Sequence, residues 1–345
     1  MSESILTDQK KPAHDLYDYY DYEDDDYDDK KKEEDDYDDY HTEGDDDTVE
    51  NQVIQFHDGN VEDDYYEDDD NDDDNDDDKD TTKEEEEENR SNDTSTRKRI
   101  KLTDGRMFEA LEQLQHSSSD FTQGLTYSRS SGTLYQSNGL YRKSNICSLL
   151  PSTGETIKCV HMKDRFFGEG MQVYGSAGQE KLIQITWKEH KGFIYDANTL
   201  EQLKEFNFKT TRQEGWGICL DEHSNEFIVS DGSEYLHFWD VDDLSEKRRV
   251  KVTRQEGEPA INLNELEFVN GKVLANVWYQ DIILVIDPES GECTHEYDFS
   301  TLWPKHERKH ADVLNGISIS GEDGVLFVTG KFWDRMFRVR LKNFY

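Results

Sequence analysis

The chain has 345 residues and a formal net charge of −41, but most of that charge lies in its first third. Up to Thr96 there are 43 acidic and 8 basic residues, whereas the remainder holds 37 and 31. A segment so acidic and so poor in aliphatic residues cannot bury enough apolar area to offset chain entropy. We therefore expect residues 1–104 to form a disordered acidic low-complexity tail that takes no part in the chemistry. No apolar run reaches the roughly 20 residues of a membrane helix. The first 15 residues lack the apolar core of a signal peptide, which favours a cytoplasmic or nuclear location over secretion.

From Gly105 onwards the composition is that of an ordinary globular protein, and roughly 240 residues suffice for one all-β domain with a sizeable core. Five short stretches in this part repeat one pattern, and their first residues lie 46, 47, 48 and 51 positions apart. A period of this size, built from strand-like runs, is typical of propeller blades. The stretches are residues 123–127, 169–173, 216–220, 264–268 and 315–319.

Each stretch predicts the first strand of a blade, followed by a turn and two further strands. The dipeptide Asn270–Gly271 is the strongest hairpin signal, because both residues tolerate positive φ. The first four repeats add a fourth strand, whereas the fifth ends at Tyr345 after three. We expect residues 107–115 to supply the missing strand, since this leaves no exposed sheet edge. The prediction is an all-β, five-bladed β-propeller over residues 105–345, closed by an N-terminal strand. A six-bladed ring is the less favoured alternative, because no sixth repeat is visible.

The first position of the repeat, which we call the lead position, varies in a way that indicates a functional site. A repeat that only had to fold would carry the same small or apolar residue each time, but the lead residues are Gln123, Glu169, Trp216, Asn264 and Asn315. First strands line the channel of a propeller, and the antiparallel second strand returns to the same mouth. Counting along both strands adds ten residues, which are Phe121, Phe167, Glu214, Asn262, Val313, Gly139, Trp187, Gly232, Trp278 and Lys331. A largely apolar concavity with a few polar groups is typical of a small-ligand site.

Three other patterns carry weaker signals. Cys147 and Cys159 flank a turn and could face each other across a hairpin, but without a signal peptide we expect free thiols. Residues 306–310 match the zinc-protease pattern HExxH, yet Pro304 precedes them and no amphipathic helix surrounds them. A solvated loop is therefore expected there. The basic run at residues 97–101 is either a nuclear localisation signal or a counterweight to the acidic tail.

Seven motifs of the folded part, taken together, resemble the glutaminyl-peptide cyclotransferases of plant and bacterial type. The resemblance extends over about residues 107–345, in the right order. It implies a five-bladed propeller that converts N-terminal glutamine of peptides to pyroglutamate and releases ammonia. The acidic tail is a departure, with no counterpart in the family. The motifs are FTQGL from Phe121, FGEGM from Phe167, GWG from Gly215, NLNELE from Asn262, ANVW from Ala275, VLNGI from Val313 and VTGK from Val328.

The resemblance places active-site residues on Gln123, Glu169, Trp187, Trp216, Asn264, Trp278 and Lys331. The chemistry of the residues agrees with this. Because the substrate's α-amine attacks its own side-chain amide, the nucleophile is already tethered. Expelling ammonia needs a proton donor, and Glu169 is the only acid among the lead residues. Burial would raise the pKa of Glu169 and Lys331 would lower it, and the sequence leaves the balance open.

We expect Glu169, Asn264 and Lys331 to be catalytic, with the carboxyl as proton shuttle and the other two as donors to the oxyanion. Asn315 and Glu265 are expected to be structural. No metal ligand is assigned and no cofactor is expected for catalysis, although a structural divalent cation is left unplaced. The residues expected to bind substrate are Gln123, Phe121, Phe167, Trp187, Trp216 and Trp278.

A second hypothesis is a non-catalytic propeller that binds peptide N-termini or basic partners, because propellers carry many unrelated functions. The expected partners are peptides or proteins with N-terminal glutamine, together with basic proteins attracted by the acidic tail. No nucleic acid and no membrane is expected as a partner. The folded part is expected to act as a monomer.

Overall fold

A computed structural model describes residues 107–344, so the acidic tail predicted for residues 1–104 lies outside the described residues. Within this part, twenty strands form five four-stranded antiparallel sheets arranged as the blades of a propeller. The prediction of an all-β, five-bladed propeller is confirmed. No helix in the described residues has the length and apolar character of a membrane span.

The blades follow one another along the chain. Blade 1 consists of β2 (Thr122–Tyr127), β3 (Leu134–Asn138), β4 (Asn145–Leu149) and β5 (Thr156–His161). Blade 2 consists of β6 (Gly168–Tyr174), β7 (Lys181–Thr186), β8 (Lys191–Asp196) and β9 (Gln202–Asn207). Blade 3 consists of β10 (Ile218–Asp221), β11 (Glu226–Ser230), β12 (Tyr235–Asp240) and β13 (Glu246–Lys251). Blade 4 consists of β14 (Leu263–Val269), β15 (Lys272–Val277), β16 (Ile282–Ile286) and β17 (Cys293–Asp298). Blade 5 consists of β18 (Leu314–Ile319), β19 (Val325–Gly330), β20 (Arg335–Leu341) and the first strand of the described chain, β1 (Phe108–Gln115).

The outer strand of blade 5 comes from the opposite end of the domain. In antiparallel pairing, β1 places Phe108 opposite Leu341 and Gln115 opposite Arg335. This pairing covers the backbone groups of β20 that would otherwise form a free sheet edge. The turn between β14 and β15 has both residues in the left-handed region, with φ of 51° at Asn270 and 73° at Gly271, as the hairpin prediction requires.

The innermost strands of blades 1 to 3 lie too close together for a side chain after the lead residue. A Cβ at Gly124 would lie 2.5 Å from the backbone nitrogen of Met171, and one at Gly170 would lie 2.7 Å from that of Ile218. Both neighbours are backbone atoms, which cannot move aside cheaply. The glycines therefore let successive blades approach at the axis.

Blade 4 has Glu265 at this position instead of glycine. Its side chain is buried, its Oε1 accepts a hydrogen bond from the backbone N–H of Leu125 (3.2 Å), and its Oε2 accepts one from that of Ile317 (2.8 Å). One carboxyl thus connects the inner strands of blades 4, 1 and 5, which agrees with the structural role expected for it.

Lead residues in four of the five blades lie at irregularities in the pairing of the first and second strands. The register shifts around Gln123, Glu169, Asn264 and Asn315. Such bulges re-aim the side chains that they carry. In four blades, the residue directly after the second strand donates its backbone N–H to the backbone carbonyl of the residue two positions before the lead. The distances are 2.9 Å for Gly139 to Phe121, 3.1 Å for Trp187 to Phe167, 2.9 Å for Trp278 to Asn262 and 3.0 Å for Lys331 to Val313.

Cys147 on β4 lies directly opposite Cys159 on β5, and the two form a disulfide. The expectation of free thiols is therefore wrong. The register explains the difference, because it brings the two Cα atoms to 4.1 Å and so within bridging distance. Cys219 and Cys293 are free and buried.

The HExxH pattern lies between β17 and β18, where Lys305–Glu307 forms only a three-residue 3-10 helix. The side chain of His306 is exposed, so the motif does not present both histidines on one helix face. This agrees with the solvated loop expected there.

Candidate active site

Seven side chains contact one another in a closed circuit, which we call the wall circuit. Its members are Phe121, Phe167, Trp187, Glu214, Trp216, Trp278 and Lys331. All five blades contribute at least one member, and each member contacts the next around the circuit.

The aromatic contacts of the circuit are edge-to-face. The ring centroids of Phe121 and Phe167 lie 6.0 Å apart, those of Phe167 and Trp187 5.4 Å, and those of Trp216 and Trp278 5.4 Å. Interplanar angles of 87°, 61° and 83° place the edge of one ring against the face of the next. This geometry is favoured by the ring quadrupoles.

Two charged residues complete the circuit. The Nζ of Lys331 lies 4.4 Å from the ring centroid of Phe121 and 5.9 Å from that of Trp278. On the other side, Oε2 of Glu214 accepts hydrogen bonds from the indole nitrogens of Trp187 (2.9 Å) and Trp216 (2.8 Å).

Glu169 is 4% exposed and is held through one of its two carboxyl oxygens. Its Oε1 accepts a hydrogen bond from Nε2 of Gln123 at 3.0 Å, and Oε1 of Gln123 accepts one from Nδ2 of Asn315 at 3.2 Å. Asn315 therefore orients Gln123, which in turn orients the acid. Oε2 of Glu169 has no hydrogen-bond partner among the described residues.

Burial raises the pKa of Glu169 well above its ordinary value, Lys331 lowers it, and the negative charges of Glu214 and Glu189 raise it. The balance that the sequence left open therefore falls on the side of burial. Burial also lowers the pKa of Lys331, against the attraction of Glu169 and Asp312. Hence the acid keeps its proton at a pH where an exposed glutamate has lost it.

Three buried acceptor atoms at lead positions lack hydrogen-bond partners among the described residues. They are Oε2 of Glu169, Oδ1 of Asn264 and Oδ1 of Asn315. A buried acceptor without a donor costs about 1–3 kcal/mol. Such atoms suit a ligand that brings several N–H donors, for example an amine and a primary amide.

Eight of the nine predicted site residues directly contact another member of the set, in two groups. Lys331 and the five aromatic residues lie in the wall circuit, and Gln123 binds Glu169. Asn264 is buried at its lead position, where its backbone carbonyl accepts a hydrogen bond from Oγ of Ser230 at 2.6 Å. Its side chain makes no hydrogen bond to the other eight within the described part of the chain.

No role was predicted for Glu214 from the sequence, although its position in the repeat placed it on the correct face. The available signal was its position two before the lead, where blades 1 and 2 carry Phe121 and Phe167. Across residues 107–344, no group of three or more His, Cys, Asp or Glu side chains is arranged to hold a metal ion.

Three comparisons relate the chain to known proteins. A family model described as glutamine cyclotransferase matches residues 87–341. The chain is 34% identical over 238 residues to a glutaminyl-peptide cyclotransferase of Arabidopsis thaliana, covering 68% of this chain and 71% of the relative. The crystal structure of Myxococcus xanthus glutaminyl cyclase superposes with a TM-score of 0.60 at 28% identity, covering 69% of this chain and 97% of that one.

Proposed function

The chain belongs to the glutamine cyclotransferase family, and we propose that the wall circuit and the lead residues form its active site. The chain is an enzyme that converts N-terminal glutamine of peptides or proteins to pyroglutamate, with release of ammonia. The observation that supports this site best is Glu169, a buried carboxyl with a raised pKa and one unpartnered oxygen.

The substrate's N-terminal glutamine offers N–H donors from its α-amine and from its side-chain amide. We assign them to the unpartnered side-chain oxygens of Asn264 and Asn315, which leaves Oε2 of Glu169 for the proton that is transferred. We assign the indoles of Trp187, Trp216 and Trp278 to the walls around this amine, because their ring faces attract its cationic form. The amine then loses one proton to solvent and attacks in its neutral form. Phe121 and Phe167 bring the apolar walls, which favour the folded side-chain rotamer that cyclisation needs.

In the reaction, the α-nitrogen forms a bond to the side-chain amide carbon, and the bond from that carbon to the amide nitrogen breaks. The α-nitrogen loses a proton and the departing nitrogen gains one, so a single group can carry the proton between them. Oε1 of Glu169 is engaged by Gln123, so we assign the transferred proton to Oε2. A positioned shuttle of this kind contributes roughly 10²–10⁴-fold in rate.

The tetrahedral intermediate carries a negative oxygen that needs hydrogen-bond donors. Nζ of Lys331 and the side-chain amide of Asn264 are the donors that we assign to it. Lys331 is 4% exposed and lies over the ring of Phe121, so its position is set by packing. A donor held in place in this way needs no reorganisation when the charge develops.

The test is a mass-spectrometric assay on a synthetic peptide that begins with glutamine. Wild-type protein should remove one ammonia, and Glu169→Gln should lower kcat by roughly 10²–10⁴-fold with the circular dichroism spectrum unchanged. The exposed Glu201→Gln is the matched control. Equal turnover by Glu169→Gln and wild type would refute the role of Glu169, and binding without product would favour a non-catalytic propeller.

We also propose that catalysis needs no metal ion, since the residues above account for proton transfer and charge stabilisation. Dialysis against EDTA should leave kcat unchanged, and a loss restored by a divalent cation would contradict the proposal. Attraction of basic proteins by the acidic residues 1–104 is a separate proposal. It fails if deleting them does not weaken that binding at low salt.

A further inference from the structure

We infer that Glu214 is a positioning residue, one carboxyl oxygen of which fixes two indole walls and keeps the wall circuit closed. The inference rests on the proposed function, because it assigns a role within the same site. It concerns a residue that brings no aromatic ring to the wall circuit and for which no role was predicted from the sequence.

The place of Glu214 in the repeat is the first observation. It stands two residues before the lead of blade 3, where blades 1 and 2 have the wall residues Phe121 and Phe167. Blade 3 therefore lacks an aromatic wall at this position. In its place Glu214 presents an acceptor to Trp187 of blade 2 and Trp216 of blade 3.

The hydrogen bonds are the second observation. Oε2 of Glu214 accepts from Nε1 of Trp187 at 2.9 Å and from Nε1 of Trp216 at 2.8 Å. An indole nitrogen is a donor only, and a carboxylate oxygen has lone pairs for two donors. One atom thus orients two rings from adjacent blades. Since this oxygen is occupied by two donors, it is suited to holding the walls.

The segment that carries Glu214 is itself fixed. Oγ1 of Thr210 donates to the carbonyl of Glu214 at 2.6 Å and accepts from its N–H at 3.1 Å. The backbone N–H of Arg212 donates to Oδ2 of the buried Asp231 at 2.7 Å, and Nε2 of His237 lies 3.3 Å from the same oxygen. The carboxyl therefore has a defined position from which to orient the indoles.

The charge of Glu214 has a second effect, which can be measured separately. The charged groups that act on Glu169 are Lys331, which lowers its pKa, and Glu214 and Glu189, which raise it. Replacing Glu214 by glutamine keeps an oxygen for the two indoles but removes one of the two negative charges. Positioning and charge can therefore be separated by comparing two substitutions.

The experiment compares Glu214→Ala and Glu214→Gln, with the exposed Glu201→Ala as control, in the assay on a glutamine-initiated peptide. Glu214→Ala removes the acceptor of both indole N–H groups and should lower kcat/KM by about 10²-fold, the effect that a small misplacement in an active site can have. Glu214→Gln should keep kcat/KM within about 10-fold of wild type. In Glu214→Gln, the limb of the pH profile of kcat/KM that reports Glu169 should move to lower pH. The reason is that loss of a like charge lowers the pKa of Glu169.

A structural readout makes the test independent of activity. The sequence has six tryptophans, so the ¹⁵N spectrum has six indole N–H signals. Trp187→Phe and Trp216→Phe assign two of them. Glu214→Ala should shift these two signals, and Glu201→Ala should shift neither.

Each outcome decides a different point. The inference would be overturned if the indole signals are unchanged in Glu214→Ala. It would also be overturned if both variants have the activity and the pH profile of wild type. The same holds if glutamine is as harmful as alanine. If wild-type protein releases no ammonia but the two indole signals move as expected, the proposed function fails while the positioning contact stands.

Discussion

Glu169 and Lys331 are buried in the same site, yet they do not form an ion pair. Within the described residues, no ion pair joins them, and the Nζ of Lys331 lies instead over the rings of Phe121 and Trp278. The aromatic faces attract the cation and hold it away from the carboxyl. Burial outweighs the effect of Lys331, so the pKa of Glu169 is raised, whereas a direct lysine contact would have favoured its ionised form.

At the residue scale we predict the effect of Lys331→Met. Lys331 lowers the pKa of Glu169, so removing its charge should raise that pKa further. The limb of the kcat/KM profile that reports Glu169 should move to higher pH, opposite to the shift expected for Glu214→Gln. Loss of a donor to the oxyanion should also lower kcat by about 10²–10³-fold.

The pH profile of kcat/KM, measured on one glutamine-initiated peptide, checks this prediction. The exposed Lys181→Met on β7 is the control and should leave the profile in place. The amine of the peptide also titrates, and its pKa is obtained from the free peptide. An enzyme-borne limb that stays fixed or moves to lower pH in Lys331→Met would contradict the electrostatic account.

At the scale of strands, the sequence predicted which residues share one mouth of the channel. Counting along two strands aligned Gly139, Trp187, Trp278 and Lys331, and their N–H groups occupy equivalent positions. The bulges at the lead residues were not predicted, since a bulge depends on how one strand pairs with its neighbour. The glycine that follows the lead residue was a partial signal of this irregular pairing. It is visible in the sequence, but the reason for it is the close backbone of the next blade.

The disulfide between β4 and β5 gives a prediction at the same scale. It closes a short loop, with a sequence separation of 12, and a bridge of this size stabilises a fold by about 3 kcal/mol. Cys159→Ser should therefore lower the free energy of unfolding by about that amount, measured by urea titration. Thr156→Ser, at an exposed residue of the same strand β5, is the control and should change this free energy by no more than about 0.5 kcal/mol.

Reductant shows whether this loss of stability comes from the missing disulfide or from the substitution itself. Wild-type protein should be destabilised by dithiothreitol, and Cys159→Ser should not respond to it. If wild type is equally stable with and without reductant, the bridge does not contribute.

For the whole folded part, the blade number followed from the period alone, because each repeat carries the strands of one sheet. The contacts of Glu214 did not follow, since its two indole partners belong to different blades and meet only once the ring has closed. The disulfide was missed for a different reason. The turn between Cys147 and Cys159 showed that they could face each other, but free thiols were expected from the compartment.

Ring closure gives the last prediction, which concerns the boundary of the folded domain. Strand β1 covers the edge of β20 and buries Phe108 and Leu114, and Phe108 stacks on Phe299 with ring centroids 4.4 Å apart. Burying a side chain of this kind contributes about 1.5–3 kcal/mol. Deleting residues 1–115 should therefore expose a sheet edge, lower the unfolding temperature and promote self-association.

Deleting only residues 1–104 is the matched comparison, because it removes the acidic segment and leaves β1 in place. This shorter deletion should keep kcat/KM for a glutamine-initiated peptide within about twofold of wild type, since the proposed site needs no residue before Phe121 and a distant change is expected to be nearly neutral. Circular dichroism melting and size-exclusion chromatography distinguish the two proteins. If the protein lacking residues 1–115 melts at the same temperature and elutes in the same oligomeric state as the shorter deletion, β1 does not close the ring. In that case the three strands of blade 5 would have to be stable with a free edge.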